Sequence, residues 1–290
     1  MTATVWLASY PKSGNTWFRM LIAGLWAGPD ARIDINNLPE RGGIASARAP
    51  FDNWTLIESA ALTHDEADRV RPHLYGHLAG QLPDDDEDPG EPVRFVKAHD
   101  AYTMTQEGEP LLAGRAGAVG AIVIVRDPRD VAPSLANHNA SSIDEAIAFM
   151  ADPAASYAGR TDRQDLQLRQ RLLSWSGHVA SWLDQPDIPV HLVRYEDLAR
   201  DAARVFGRAI AFSGRRTTDA AIQCAVDEAA FARLQQQERD HGFAEAPSRV
   251  RSFFRKGRAG GWRDELTPAQ AAAIEAAHGE MMLRLGYEPG

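Results

Sequence analysis

Five consecutive residues, Ala121-Ile122-Val123-Ile124-Val125, carry no polar side chain, and four of them are β-branched. A strand of this kind offers no face to water. It must be covered on both sides, as in parallel sheets whose crossover helices lie on the sheet faces. The run stops at Arg126-Asp127-Pro128, and Arg129 to His138 has helical spacing. The start of the chain repeats the pattern. Val5-Trp6-Leu7-Ala8-Ser9 reads as a buried strand, ended by Tyr10-Pro11 and the turn formers Ser13-Gly14-Asn15. Thr16 to Trp26 then spaces Trp17, Met20, Leu21 and Leu25 as a helix does.

The rest of the chain continues the alternation. Val93 to Lys97 and Val190 to Tyr195 read as strands, while Leu166 to Leu183 reads as a long amphipathic helix. Further helices are predicted over Asp197 to Phe212 and over Thr217 to Leu234, the latter with a break near Asp227. Thr63-His64-Asp65-Glu66 has capping-box form and opens a short helix, and Thr267-Pro268 caps a last helix to about Leu285. Leu82 to Pro92 is an acidic, solvated loop, Ser141 to Thr161 a flap or short helix, and Glu238 to Gly261 a basic loop. Strands alternating with helices predict parallel βαβ units and an α/β three-layer sandwich, in one domain spanning residues 1–290.

Net charge is −9, which argues against a general affinity for nucleic acid or an anionic membrane. Any anionic ligand must be met by local basic clusters. The single cysteine, Cys224, excludes an intrachain disulfide framework. No basic n-region precedes the first strand, and Ala118 to Val125 is far shorter than the roughly 20 residues of a membrane span, so a soluble, cytoplasmic protein is expected. Of the 31 basic residues only Lys12, Lys97 and Lys256 are lysines, and each falls in one of the constellations below. A lysine kept where arginine is otherwise preferred points to a need for its compact ammonium head.

Tyr10-Pro11-Lys12-Ser13-Gly14-Asn15-Thr16-Trp17 lies between a strand and a helix. A small-residue turn there exposes backbone N–H groups at a helix N-terminus, where the dipole favours an anion. Lys12 adds charge, and Ser13 and Thr16 add hydroxyls. The order of residues is not that of a Walker A loop, because the lysine leads. Arg126-Asp127-Pro128-Arg129-Asp130 leaves a central strand at its carboxyl end, where open α/β sheets bind ligands, and Ser134 follows two turns into the next helix. A surface Arg–Asp pair is the alternative reading of that motif. From Arg249 to Arg263 the chain has six cations and no acid, including Arg255-Lys256-Gly257-Arg258-Ala259-Gly260-Gly261-Trp262-Arg263, which suits a clamp for a dense anion or a plain basic loop. Lys97 and His99 are two residues apart and share a strand face, and a histidine there can act as a general base.

Taken together, these motifs resemble the cytosolic-type sulfotransferases that use 3′-phosphoadenosine 5′-phosphosulfate (PAPS), whose fold is P-loop-NTPase-like. The resemblance spans Tyr10 to Arg263 in family order. It implies that Lys12, Ser13, Gly14, Asn15 and Thr16 hold the 5′-phosphosulfate. Trp17 and Phe231 would stack on the adenine with Tyr195 nearby, and Arg126, Ser134, Arg255, Lys256 and Gly257 would bind the 3′-phosphate. It also implies His99 as the catalytic base, assisted by Lys12 and Lys97, with PAPS as co-substrate, PAP as product, and no metal. Two departures stand out. Ala230 replaces the usual Ser or Thr before Phe231, and of the family's dimerisation element only Thr267 is kept among Arg263, Thr267, Pro268 and Ala272, so the oligomeric state is left open. Phe51, Trp54, Tyr102, Phe149 and Tyr157 fall in segments that frame the acceptor pocket in this family, which suits an aryl or small natural-product alcohol. The rival readings are a P-loop kinase using ATP and Mg²⁺, and a non-catalytic nucleotide-binding protein.

Overall fold

The apolar run that opens the chain pairs with the strand after residue 92. In a computed structural model, which describes residues 3–28, 32–38, 43–81, 93–163, 165–246 and 252–289, β1 (Ala3–Ser9) and β2 (Val93–Ala98) run parallel, from Ala3 opposite Val93 to Ala8 opposite Ala98. Between them come α1 (Asn15–Ala27), α2 (Arg48–Thr55) and α3 (His64–Gly80). After β2 follow α4 (Gly114–Gly117), β3 (Gly120–Val125), α5 (Pro128–Asn139) and α6 (Ile143–Ala151). Then come β4 (Ser156–Tyr157), β5 (Gln170–Arg171), α7 (Trp175–Leu183) and β6 (Val190–Arg194). The remainder is helical: α8 (Tyr195–Arg200), α9 (Ala202–Phe212), α10 (Asp219–Glu228), α11 (Phe231–His241) and α12 (Pro268–Arg284). The sheet order is β2-β1-β3-β6, and every residue of β3 is buried, as its unbroken apolar run requires.

The chain groups into two compact units, each assembled from three separated stretches. The first takes Met1–Tyr10, Arg41–Val123 and Asp152–Leu192, and the second Pro11–Glu40, Ile124–Ala151 and Val193–Gly290. The first unit holds β1, β2, most of β3 and β6, helices α2 to α4, and α7. Its core includes Val5, Leu7, Leu74, Ile122 and Trp182, all at most 1% exposed. The second holds α1, α5, α6 and α8 to α12 around Phe18, Leu21, Leu135, Phe206 and Ile210. Phe18 and Phe206 meet edge to face at 5.4 Å. Each such side chain contributes about 1.5–3 kcal/mol of burial.

Local chemistry sets the helix ends. Thr63 and Glu66 form the expected capping box, and the helix it opens runs 17 residues rather than being short. Thr267 caps α12 with Gln270, with Pro268 at the first helical position. Between Ala202 and Phe212 the helix is separate from α8, because Asp201 leaves helical geometry and caps it through the Arg204 N–H. Tyr195, expected in a strand, is the first residue of α8.

Two further expectations are corrected. The helix predicted over Leu166–Leu183 forms only from Trp175. Leu173 adopts a left-handed φ of 61°, Ser174 then caps α7, and the preceding residues bond sideways: Leu168 N–H donates to the Ser46 carbonyl and Leu172 N–H to that of Ala155. Strand-like pairing of β5 with β4 overrides the helical spacing. The basic loop from Glu238 begins as the end of α11, which continues to His241. The Ser141–Thr161 stretch contains a short helix, α6, in keeping with one of the two expected readings, and then strand β4. The acidic run Leu82–Pro92 lies outside the described residues.

Candidate active site

In the second unit, Lys12 and Gly14 both take positive φ (69° and 107°), which turns the chain sharply between residue 11 and the first residue of α1. The Gly14 carbonyl accepts the Phe18 N–H at 3.1 Å. A Cβ on Gly14 would lie 2.6 Å from the Tyr195 ring, so glycine is required both for the backbone and for the approach of that ring. Ser13 is fully buried and its hydroxyl has no hydrogen-bond partner among the described residues. Leaving such a group unsatisfied costs about 1–3 kcal/mol, and at the N-terminus of a 13-residue helix an anion is the acceptor that would recover it. The cradle therefore fits a phosphate or sulfate group.

Arg126 connects this loop with the other motifs. Its guanidinium stacks 4.4 Å from the Tyr195 ring centre and donates to the Lys12 carbonyl (3.4 Å) and the Arg258 carbonyl (3.2 Å). Its Nε is buried with no partner among the described residues. Burial pushes the Tyr195 hydroxyl above its ordinary pKa, with the Arg126 charge opposing.

The face of α5 that carries Asp130, Ser134, Asn137 and His138 runs beside the third motif. Asp130 accepts the N–H groups of Gly260 (2.6 Å) and Trp262 (2.8 Å), Asn137 donates to the Ser252 carbonyl (3.5 Å), and His138 meets Phe253 edge to face. Ser134 sits one turn from each end of that row and is half-buried. The Lys12 ammonium in turn lies 3.8 Å from the Phe253 ring centre. Burial raises the Asp130 carboxyl above its usual range, against the pull of Arg126 and the two N–H donors.

Arg255, Lys256 and Arg258 of the third motif are paired, which a run without acids up to Arg263 did not foretell. Glu265 receives Lys256 at 2.9 Å and also binds Arg255, while Arg258 pairs with Asp264. Burial pushes the Glu265 carboxyl up, but Lys256 and Arg255 outweigh it and hold it below its ordinary value. Gly257, at φ 60°, is packed so closely that a Cβ would fall 2.3 Å from the Phe231 ring. Phe231 starts α11, and the Trp17 indole N–H donates to the Ala229 carbonyl (3.0 Å) two residues before it. Trp17 also meets Tyr195 edge to face at 5.6 Å. The structure thus brings Trp17, Tyr195, Phe231 and Gly257 around one corner.

In the first unit, Lys97 lies in β2, its backbone bonded to Gly43 and Ala45, and His99 follows the strand. His99 Nδ1 is 2.8 Å from the Ser9 carbonyl, with the Ser9 hydroxyl 3.3 Å from the same nitrogen. A carbonyl only accepts, so the Nδ1 that faces it carries a proton. Of the expected acceptor-pocket aromatics, Phe51 is fully buried core and Tyr102 nearly so, its hydroxyl donating to Asp187, whereas Trp54, Phe149 and Tyr157 keep exposed surface. Asp130, Phe253 and Glu265 are the site residues that motif reading missed. Asp130 stood inside a quoted motif, and Glu265 only two residues past another. Among the described residues no group of three or more metal-ligating side chains converges, and no helix is long and apolar enough to cross a membrane.

Fold and cradle define an α/β protein whose turn following the first strand has the chemistry to receive an anion. A family model described as the sulfotransferase domain matches residues 113–286. Human sulfotransferase 2B1 is 24% identical over 286 residues, covering 96% of this chain and 66% of that protein. Luciferin sulfotransferase of Photinus pyralis is 24% identical over 219 residues, covering 73% of this chain and 51% of that protein. The chain therefore spans between about half and two thirds of the length of these relatives. Two solved structures share the fold. A mouse sulfotransferase complexed with PAP superposes with a TM-score of 0.57 at 19% identity, over 97% of this chain and 84% of that one. Retinol dehydratase in complex with androsterone and inactive cofactor PAP gives 0.58 at 20% identity, over 96% and 80%. The chain belongs to the sulfotransferase domain family, with an α/β fold whose central parallel sheet is flanked by helices.

Proposed function

We propose that this protein is a single sulfotransferase domain over residues 1–290 that transfers the sulfuryl group of PAPS to the hydroxyl of a small acceptor. The observation that carries the reading is the buried, unpartnered Ser13 hydroxyl in the turn that Arg126 ties to the third motif. A cradle with a donor left over is built for an anion. PAP-bound relatives of the same fold support a 3′-phosphoadenosine nucleotide as the anion's owner.

In this reading PAPS supplies the activated sulfuryl group. Ser13 and the N–H groups at the start of α1 hold the 5′-phosphosulfate, and Lys12 neutralises charge on the departing phosphate. Arg126, Ser134, Arg255, Lys256 and Gly257 hold the 3′-phosphate, and Trp17 and Phe231 stack on the base. The acceptor oxygen forms a bond to sulfur as the sulfur–phosphate oxygen bond breaks. His99 Nε2, aimed by the Nδ1–H bond to Ser9, takes the hydroxyl proton, and Lys97 steadies the sulfuryl oxygens. No metal is needed where lysines and arginines supply the charge. The acceptor class we favour is an apolar or aryl alcohol. The exposed aromatic surface of Trp54, Phe149 and Tyr157 supports it, as do the androsterone and retinol named for neighbouring structures.

Thermal melts with PAP, and separately with ATP and Mg²⁺, test the reading. Saturation at about 100 times Kd stabilises by about 2.7 kcal/mol. A shift with PAP in the presence of EDTA is expected, and a shift only with ATP and Mg²⁺ would move the chain to the kinases. His99→Ala is expected to lose about 10²–10⁴-fold in turnover while binding PAP normally. Undiminished turnover would remove His99 as the base.

A further inference from the structure

Immediately after His99 the first unit buries a charge network that the proposed chemistry does not use. Arg71 and Asp100 are each completely buried, and Asp68 is 2% exposed. The Arg71 guanidinium grips both carboxylate oxygens of Asp100 (2.7 and 3.3 Å), donates to Asp68 (3.1 Å) and the Arg169 carbonyl (2.8 Å), and donates from Nε to the Tyr75 hydroxyl (2.9 Å). Arg169 and Arg171 complete the neutralisation of Asp68. Replacing such a pair with apolar side chains is often neutral or stabilising, so stability alone does not account for it.

What the network does hold is the backbone on either side of the Asp100 side chain. The Asp100 carboxylate also accepts the Arg171 N–H (3.0 Å), and the Ala101 N–H donates to the Arg171 carbonyl (2.7 Å). Helix α7 grips the same turn from another side. Neutral His178 donates to the His99 carbonyl (3.2 Å), Trp182 to the Asp100 carbonyl (3.1 Å), and the Ser181 hydroxyl accepts the Tyr102 N–H (2.9 Å). A two-pronged, fully buried Arg–carboxylate pair fixes direction as well as distance, which a flexible contact does not.

We infer that the Arg71–Asp100 pair is a positioning device for His99, holding its ring so that Nδ1 stays on the Ser9 carbonyl and Nε2 stays presented for proton transfer. The inference rests on the reading of His99 as the base, though its first readout does not depend on turnover. The full-length chain bound to PAP, with ¹⁵N-labelled histidines, reports the imidazole tautomers directly, and His99→Ala assigns the signal. The native His99 should carry its proton on Nδ1. Three variants are compared: Asp100→Asn, Arg71→Lys, and the doubly uncharged Arg71→Met/Asp100→Asn, which leaves no lone charge and leaves Asp68 with Arg169 and Arg171. Each is expected to let the His99 proton exchange between the two ring nitrogens. With 2-naphthol as acceptor, kcat should fall about 10- to 100-fold, with PAP affinity and the KM for PAPS unchanged. The double variant should recover thermal stability without recovering kcat, which a merely structural role would not produce. A His99 that keeps the Nδ1 tautomer in all three folded variants overturns the inference, as does native kcat in a stable double variant. Native-like turnover in His99→Ala would instead remove the base reading, leaving the tautomer result to judge positioning alone.

Discussion

Gly257→Ala tests how the corner proposed to hold the nucleotide is packed. Gly257 sits at φ 60°, and an added Cβ would meet three atoms of the Phe231 ring at 2.3, 2.4 and 2.5 Å. Left-handed backbone costs an alanine about 1 kcal/mol. The ring must also retreat by about 1 Å to restore ordinary contact, and forced repacking of this kind costs about 1–3 kcal/mol. If Phe231 turns away to relieve the clash, folding pays little of that second cost and the nucleotide pays it instead. A base stacked on an aromatic ring is worth about 1–3 kcal/mol, or about 5- to 150-fold in Kd. The expected outcome is a small fall in melting temperature and PAP binding weakened by at least about tenfold, read by calorimetric titration. A double-mutant cycle with Phe231→Ala should show strong coupling, since the three atoms nearest the added methyl all belong to that ring. Native PAP affinity in Gly257→Ala, or additive effects in the cycle, would refute the claim that this glycine exists to admit Phe231.

Other consequences follow from single groups. Ser13→Ala removes a buried hydroxyl without a partner among the described residues. It should raise the melting temperature of the protein alone slightly while weakening PAP binding about tenfold or more, opposite signs that one thermal titration resolves. Glu265→Gln releases Arg255 and Lys256 from a competing carboxylate and should tighten PAP binding about 3- to 10-fold at low ionic strength, whereas weakened binding would make Glu265 an orienting group. Buried His178 and His278 are both held down to about 4 by burial, His178 against its bond to the His99 carbonyl. Their unfolded forms take up protons below about 6.5, so their stabilisation is complete above that pH and is lost as pH falls toward 4. His178 alone accounts for about 3 kcal/mol across that window. Urea midpoints measured from pH 8 to 4.5 should fall accordingly, and His178→Gln should flatten the slope.

Much of the architecture was legible in the residues because strand and helix formation are local. The β-branched run of β3 demanded burial on both faces, Thr63 and Thr267 announced helix starts, and the small residues after Ser9 announced a turn with exposed N–H groups. Each of these rests on backbone preference or one-sided burial within a few residues, and sequence records both directly. Where long-range pairing competed, spacing misled: Leu166–Leu172 has helical periodicity but bonds sideways to Ser46, Ala155 and Ala101. The identity of polar partners was equally hidden. Nothing in the order of residues says that Asp130 would gather the N–H groups of Gly260 and Trp262, or that Glu265 would neutralise Arg255 and Lys256. Nor does it say that Arg71 would reach Asp100 beneath His99. A polar group's need for a partner is fixed by its chemistry, but which partner meets it is fixed by which segments fold into contact. The sequence alone therefore determined the α/β alternation and the small-residue turn after the first strand, and tertiary packing decided how the cations are balanced and how His99 is held.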